Sequence, residues 1–235
     1  MQLWLCPILA FLMGSIPFGL LIARSQGIDI RQHGSGNIGA TNVLRVLGKK
    51  FGIPCLLLDA LKGFIPVVIA LSLVRIAGKE ASLAIPLLKP WSLELASDQR
   101  FTGQLAHVVT GLMAILGHNY SPWVGFKGGK GIATSAGVLI ALMPFAVLIL
   151  LVVWGVLFAT TRYVSVASMG ASACLPIITL WGSWFHGRIQ DGTWNKPLFA
   201  LSLAIAVMAI WKHRSNIQRL LNGTENRFVP KSKRS

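Results

Sequence analysis

A short stretch near the start of the chain concentrates residue types that bind phosphate. It reads GSGNIGATN at 34–42 and is followed by Arg45. Glycine lets the backbone approach a ligand closely, and backbone N–H groups beside Ser, Asn and Arg side chains form an anion site where a helix begins. A flexible linker needs no such donors, so the stretch predicts a phosphate-binding loop. Its candidate residues are Gly34, Ser35, Gly36, Asn37, Gly39, Thr41, Asn42 and Arg45.

A second stretch, KGGKGIAT at 127–134, places two lysines around a glycine pair directly before a predicted helix. Lysine supplies a mobile point charge and the helix start supplies N–H donors, which together favour phosphate binding. The spacing is not that of a Walker A motif. The alternative, lysines that only contact anionic lipid, leaves the three glycines unexplained. The candidate residues are Lys127, Gly128, Gly129, Lys130, Gly131 and Thr134.

Two polar patches in the second half of the chain complete the set. The turn TRYVSVAS at 161–168 contains Ser165, and the C-terminal tail contains His213 and Asn216. Residues three apart lie on one face of a helix, so His213 and Asn216 are expected side by side. An amphipathic helix on an anionic membrane would explain the basic residues of this tail, but it would not explain the His–Asn pair.

Other reactive residue types give weaker signals. His186 and Asp191 have the H-x-x-x-x-D spacing of acyltransferases with thioester donors, in which His acts as the base. No phosphate-binding motif surrounds this pair, so we interpret it as coincidence. Cys6, Cys55 and Cys174 lie in apolar stretches without a metal-ligand spacing. We therefore expect neither a metal nor a cofactor.

The composition indicates where these residues act. Of 235 residues, 54% are hydrophobic and 12% are charged, whereas soluble domains carry about 25% charged residues. The mean hydropathy is +0.64. These values favour an integral membrane protein. They exclude a soluble nucleic-acid binder, despite a net charge of +15.

The apolar segments predict an all-α integral membrane protein with seven transmembrane helices, forming one domain over 1–235 with a basic tail at 212–235. The stretch 131–160 is divided because thirty helical residues would be about 45 Å long, against a hydrocarbon core of about 30 Å. Pro144 also removes a backbone hydrogen bond near its middle. The seven segments are Leu3–Ala23, Phe51–Val74, Gln104–Gly117, Gly131–Met143, Phe145–Thr160, Val164–Phe185 and Pro197–Trp211.

The positive charge sets the predicted orientation. With seven spans, 15 of the 22 Lys and Arg residues lie on one side of the membrane. The positive-inside rule makes that side the cytoplasm, so the N-terminus lies outside and the C-terminus is cytoplasmic. Six spans would separate the basic tail from the first two basic loops. The segment 78–103 then forms a long outer loop, in part helical.

The motifs together resemble a known family. The stretches GSGNIGATNVLR, GHNYSPWVGFKGGKGIATS, TRYVSVAS and HRSNIQRLLNGTE, with GSIPFG at 14–19 and D-x-x-K-G at 59–63, are similar in sequence and order to the bacterial acyl-phosphate:glycerol-3-phosphate acyltransferases, the PlsY family. The resemblance covers almost the entire chain. The segment 78–103 is long for the family and contains none of the motifs.

The resemblance implies a multi-pass enzyme of the bacterial inner membrane with a cytoplasmic active site. It implies acyl transfer from acyl phosphate to the 1-hydroxyl of glycerol 3-phosphate, giving lysophosphatidic acid and inorganic phosphate in the first acylation of phospholipid synthesis. The resemblance also implies a functional link to the enzyme that forms acyl phosphate. It implies no nucleic-acid partner. By the same resemblance, Ser35, Arg45, Lys127 and Lys130 contact phosphate, and Ser165, His213 and Asn216 line the glycerol phosphate side. The general base stays open between His213 and the donor's own phosphate.

Charged residues inside the predicted spans are few. Asp59 and Lys62, three apart in the second span, are expected to form an internal pair that supports the loops. Their isolation counts against the main alternative, a transporter or channel for a phosphorylated metabolite, which needs polar residues across the bundle. A membrane scaffold is a third alternative, and it leaves the glycine–asparagine loop unexplained.

Overall fold

The computed structural model describes residues 1–79 and 81–228 and is mainly helical. The chain divides into two compact units, one from Met1 to Met143 and the other from Pro144 onward. Candidate site residues occur in both units. That the two units act as one domain stays a prediction.

The first unit has six helices and one short strand pair among its described residues. The helices are α1 (Gln2–Ser15), α2 (Phe18–Arg24), α3 (Ala40–Leu47), α4 (Lys49–Leu73), α5 (Arg100–Asn119) and α6 (Ile132–Leu142). Strand β1 (Val74–Ile76) pairs in parallel with β2 (Leu93–Leu95). Helix α1 packs mainly on α5, and α4 packs mainly on α6 and α3.

The second unit has four helices among its described residues. They are α7 (Pro144–Thr161), α8 (Val164–Phe185), α9 (Lys196–Lys212) and α10 (Arg214–Leu221). Helix α8 packs on both α7 and α9. The division of 131–160 at Pro144 is confirmed, because α6 ends at Leu142 and α7 begins at Pro144.

Each of the seven predicted apolar segments is helical, and the first is broken between α1 and α2 at Ile16–Pro17. Among the described residues, four stretches are long and apolar enough to cross a membrane, and α9 with α10, bent by 51°, would make a fifth. The four stretches are Gln2–Arg24, Lys49–Leu73, Pro144–Thr161 and Val164–Phe185. The fold is therefore that of a multi-pass membrane protein, while seven spans and the orientation of the termini stay predictions.

Small residues allow the helices of the first unit to pack closely, as is usual inside membranes. A Cβ at Gly14 in α1 would collide with the Ala114 carbonyl of α5, and a Cβ at Gly137 in α6 would collide with the Ala60 carbonyl of α4. The backbones of these helix pairs are thus in direct contact. This close packing fixes the helix ends from which the candidate loops emerge.

The segment predicted as a long loop with some helix is more ordered than expected. It contains β2, 3₁₀-helices at Pro86–Trp91 and Ser97–Gln99, and the first turn of α5. The all-α prediction is confirmed for the fold as a whole, and the three-residue strands β1 and β2 depart from it locally. Their sequences, VRI and LEL, alternate apolar and charged residues as strands do, and Val74 and Leu95 place their side chains in one buried cluster with Ala106.

Candidate functional site

Both candidate loops of the first unit pack on one apolar cluster. Ile38 and Val43 come from the first loop and the start of α3, and Val124 comes from the second loop. All three are buried in a cluster with Leu20, Ala23, Ile30 and Cys55. The structure therefore brings the two stretches that were predicted to bind phosphate to the same end of this unit.

Asn42 is the centre of the first loop. Its side chain is 2% exposed. Its Oδ1 accepts from the Ser35 backbone N–H at 2.9 Å and from the Arg45 guanidinium at 3.2 Å. Its Nδ2 donates to the carbonyls of Ile30, His33 and Asn37. Asn42 thus shapes the loop and orients Ser35 and Arg45, while its predicted contact with substrate stays a prediction.

The glycines and Asn37 of this loop also have conformational tasks. Gly34 has φ of +60°, and a Cβ there would collide with the Asn42 amide. Asn37 Oδ1 accepts from the Gly39 backbone N–H at 2.8 Å, just where α3 begins. The Ser35 side chain is exposed and that of Arg45 is half-buried. The loop is therefore closed by its asparagines and leaves Ser35 accessible for a ligand.

The glycine pair of the second loop packs on the end of α5. A Cβ at Gly128 would collide with the His118 carbonyl, and one at Gly129 would collide with the His118 ring. The Gly129 N–H donates to the His118 carbonyl at 3.1 Å. The pair therefore lets the loop lie against His118. Lys127 is exposed and Lys130 is half-buried.

The start of α6 provides further donors. Gly131, with φ of +79°, precedes the first helical residue and supplies no side-chain cap. The hydroxyl of Thr134 is buried in the first turn and has no hydrogen-bond partner among the described residues. A helix N-terminus favours anions. Among the predicted substrate-binding residues of this loop, Thr134 therefore offers a buried hydroxyl that can hydrogen-bond a ligand.

A buried ionic network lies below the second loop. Lys62 Nζ is 2.8 Å from Asp59 Oδ1, and both side chains are 3% exposed, so the predicted internal pair is confirmed. Lys62 also donates to the Ile16 carbonyl at 2.7 Å, at the break between α1 and α2. His118 Nδ1 lies 3.7 Å from the same Asp59 oxygen. Spacing along the chain does not link His118 to this pair, since His118 lies in α5 and the pair lies in α4.

In the second unit, Glu225 gathers two of the predicted substrate residues. Its Oε1 accepts from the Ser165 hydroxyl at 2.8 Å and from Asn216 Nδ2 at 2.6 Å, and its Oε2 accepts from Arg219 Nε at 2.8 Å. Burial alone would raise the pKa of the Glu225 carboxyl. The three hydrogen bonds and the charge of Arg219 together have a larger effect in the opposite direction, so the pKa lies below its ordinary value. Sequence reasoning missed Glu225, whose partner Ser165 lies sixty residues earlier.

His213 lies between α9 and α10 with its ring buried. Asn216 is buried as well, whereas Arg214 and Ser215 are exposed, so the predicted common face is confirmed. His213 Nδ1 is 2.7 Å from the Ala209 carbonyl. Because a carbonyl only accepts, Nδ1 carries a proton, and the neutral ring then has its lone pair on Nε2. This tautomer suits a proton acceptor at Nε2.

The H-x-x-x-x-D match has a local explanation. His186 directly follows α8, and the Asp191 carboxylate accepts from both the backbone N–H and the hydroxyl of Thr193, at 2.8 and 2.6 Å. A carboxylate that closes such a turn is common for Asp. Asp191 therefore has a structural task in its loop.

A multi-pass helical membrane protein with polar, glycine-rich loops is the class that the fold and these contacts define. The sequence profile described as glycerol-3-phosphate acyltransferase matches residues 4–223. The chain belongs to this family, the PlsY family.

Its relatives match along nearly their whole length. The glycerol-3-phosphate acyltransferase of Geobacter sulfurreducens is 43% identical over 220 residues, covering 93% of this chain and 94% of the relative. That of Aquifex aeolicus is 41% identical over 221 residues, covering 94% and 96%. The chain is thus similar in extent to these acyltransferases.

Two solved structures of PlsY, an integral membrane glycerol 3-phosphate acyltransferase, are also similar. The glycerol 3-phosphate form has a TM-score of 0.76 and 37% identity, covering 97% of this chain and 96% of the solved chain. The lysophosphatidic acid form has a TM-score of 0.74 with the same identity and coverage. Fold and sequence thus lead to the same family.

Proposed function

We propose that this protein transfers a fatty acyl group from acyl phosphate to the 1-hydroxyl of sn-glycerol 3-phosphate and releases lysophosphatidic acid and inorganic phosphate. The observation that carries the proposal is the packing of two glycine-rich, cationic loops on one apolar cluster in a member of this family. Both substrates carry phosphate, and the relative of known structure has a glycerol 3-phosphate form and a lysophosphatidic acid form.

The reaction needs no covalent enzyme intermediate, because acyl phosphate is already an activated mixed anhydride. The 1-hydroxyl oxygen attacks the acyl carbonyl carbon, the bond from that carbon to the bridging phosphate oxygen breaks, and phosphate leaves. The enzyme has to hold two anions that repel each other and to stabilise the charge that develops on the carbonyl oxygen.

We assign phosphate contacts in the first unit to the loops that pack together. Ser35 is exposed, and Asn42 orients Arg45. Lys127 and Lys130 supply charge, and the start of α6 supplies backbone donors with the buried Thr134 hydroxyl. In the second unit we assign glycerol phosphate to Ser165, His213 and Asn216.

The hydroxyl proton has two candidate acceptors, His213 Nε2 and the departing phosphate. A His213→Gln variant separates them. If His213 accepts the proton, kcat falls and its acid limb is lost from the pH profile. If the phosphate accepts it, the variant keeps the shape of that profile and the loss appears in the KM for glycerol 3-phosphate.

The proposal includes a location. We propose seven spans in the bacterial inner membrane, with the N-terminus outside and the loops and the C-terminus facing the cytoplasm, where an acyl-phosphate-forming enzyme would supply the donor. The skewed distribution of Lys and Arg supports this orientation. A C-terminal epitope that antibodies reach in intact cells, without permeabilisation, would contradict it.

The deciding experiment uses purified protein with palmitoyl phosphate and labelled glycerol 3-phosphate, and measures lysophosphatidic acid and phosphate together. We expect equal amounts of both products. A His186→Ala variant is the matched control and should retain full activity. Turnover with acyl-CoA alone, lost in His186→Ala, would overturn the proposal in favour of the thioester-dependent class. Uptake of glycerol 3-phosphate into sealed vesicles without acylation would indicate a transporter.

A further inference from the structure

The segment 81–91 carries an apolar surface that the acyl-transfer reaction does not explain. Its sequence, ASLAIPLLKPW, has one charged residue in eleven. The Leu87 and Trp91 side chains are 76% and 62% exposed, and Leu83 and Ile85 are also exposed. None of the residues in the 3₁₀-helix Pro86–Trp91 is buried. An exposed apolar patch of this kind marks a contact surface.

Two hydrogen bonds attach this segment to helix ends in the first unit. The Gln2 side chain donates to the Trp91 carbonyl at 3.0 Å. The Ile85 N–H donates to the hydroxyl of Ser72, which is buried in the last turn of α4, at 2.8 Å. The segment is therefore held at the level where α1 begins and α4 ends.

That level coincides with the end of two membrane-spanning stretches. Gln2–Arg24 and Lys49–Leu73 both meet the length and hydropathy of a span. Trp4, two residues after Gln2, is 78% exposed. Tryptophan is enriched at the boundary between hydrocarbon and water, where its ring is apolar and its N–H reaches polar groups. Trp4 lies in α1 and Trp91 is hydrogen-bonded to Gln2 at the start of α1, so both exposed indoles lie near this end of the spans.

We propose that the segment 81–91 is a lipid-contacting surface that inserts Leu87 and Trp91 into the interfacial region of the bilayer, at the end of the unit where α1 begins. The segment is attached to the ends of α1 and α4, which are parts of two stretches apolar enough to cross the bilayer. Lys89 can extend its ammonium group toward phosphate headgroups while its stem stays in apolar surroundings. The ligand is therefore the bilayer interface itself.

The segment next to it provides an internal contrast. Residues 94–100 contain Glu94, Asp98 and Arg100, and Ser97 is exposed. Charged and hydroxyl side chains favour water over the interface. The proposal therefore divides one connecting segment into a lipid-facing part and a water-facing part, only a few residues apart.

Site-directed spin labelling of the full chain tests this division. Cys6, Cys55 and Cys174 are first replaced by Ala, and acyl transfer by that background variant is verified. A nitroxide is then attached to Leu87→Cys or, as the matched control, to Ser97→Cys. The protein is reconstituted in vesicles of phosphatidylethanolamine and phosphatidylglycerol. We expect the ratio of oxygen to nickel-chelate collisions to be several-fold higher at 87 than at 97.

Two outcomes would overturn the proposal. Equal collision ratios at 87 and 97 would place the segment in water. Shielding of 87 from both reagents, with spin–spin broadening that disappears on dilution with unlabelled protein, would show that a second copy of the chain covers it. A Trp91→Phe variant is an independent measurement, and we expect it to lower the fraction of tryptophan fluorescence that lipids brominated near the headgroup quench.

Discussion

The first loop and the C-terminal tail organise their candidate substrate residues in different ways. In the loop a neutral amide, Asn42, both accepts and donates, and its partners lie within twelve residues. In the tail a carboxylate, Glu225, only accepts, and it joins Arg219 and Asn216 to the distant Ser165. The loop is therefore specified locally, around a group that is itself neutral. The tail depends on an ionised group and on long-range folding.

The variant with the largest expected effect tests whether the first loop positions Arg45 to bind phosphate. Arg45→Ala should lower kcat/KM at least about 100-fold, as removal of one donor to a developing anion does, while the thermal midpoint changes little. The measurement is steady-state acyl transfer with both substrates varied. Lys49→Ala, which removes the same charge four residues later at an exposed position, is the control and should stay near wild type. Near-normal kcat/KM in Arg45→Ala would contradict the phosphate assignment.

The next effect tests the neutral centre of the loop. Asn42→Asp keeps the acceptor but cannot donate to the three carbonyls, and the buried groups that lose partners cost about 1–3 kcal/mol each. We expect the thermal midpoint to fall by about 6 °C or more. Asn37→Asp is the matched control, because Asn37 uses its oxygen to accept from Gly39 and a carboxylate can do the same. Equal midpoints in the two variants would show that Asn42 does not organise the loop.

The contribution of Glu225 to the stability of the tail should depend on pH, whereas the contribution of Asn42 to the stability of the loop should not. The folded pKa of Glu225 lies below its ordinary value, so its stabilisation is complete above the ordinary pKa of about 4.3. It is lost as the pH falls through the lowered folded pKa. We expect Glu225→Gln to lower the thermal midpoint at pH 7, and we expect the difference from wild type to narrow as the pH falls below about 4.

Thermal unfolding at several pH values measures this difference. Asn42→Ala serves as the comparison, since it removes a neutral amide and introduces no group that titrates between pH 7 and pH 4. A difference between wild type and Glu225→Gln that is independent of pH would mean that shape, and not charge, matters at this position.

The variant with the smallest expected effect tests how the Ser165 hydroxyl contributes to activity. Its hydroxyl donates to Glu225, so part of its contribution passes through that carboxylate. We expect Ser165→Ala to lower kcat/KM about tenfold alone and much less in the Glu225→Gln background, a coupling that a double-mutant cycle measures. Additive losses would instead show that the contribution of Ser165 does not depend on Glu225.

The sequence predicted the features that depend on local chemistry. Helix positions follow from apolar runs, the break before Pro144 follows from the missing N–H, and the Asp59–Lys62 pair follows from its spacing along one helix. The asparagine-rich loop was recognised as special, but the roles of its asparagines in closing the loop needed coordinates.

Features that depend on distant contacts could not be predicted. The pairing of β1 with β2 joins two three-residue strands across a long connection, and such short strands carry little signal of their own. His118 meets Asp59 from another helix, and Glu225 meets Ser165 from another part of the unit. In each case the partner is chosen by tertiary packing and not by spacing in the chain.

The contact from Lys62 to the Ile16 carbonyl has a consequence for biogenesis. A lysine within a span is costly to insert unless partners await it. The Ile16 carbonyl and the Phe18 ring, 5.5 Å from the Lys62 ammonium, belong to a stretch that the ribosome delivers before α4. Because synthesis proceeds from the N-terminus, the Ile16 carbonyl is made before Lys62. When the stretch that contains Lys62 enters the bilayer, a hydrogen-bond acceptor for its ammonium group is therefore already present.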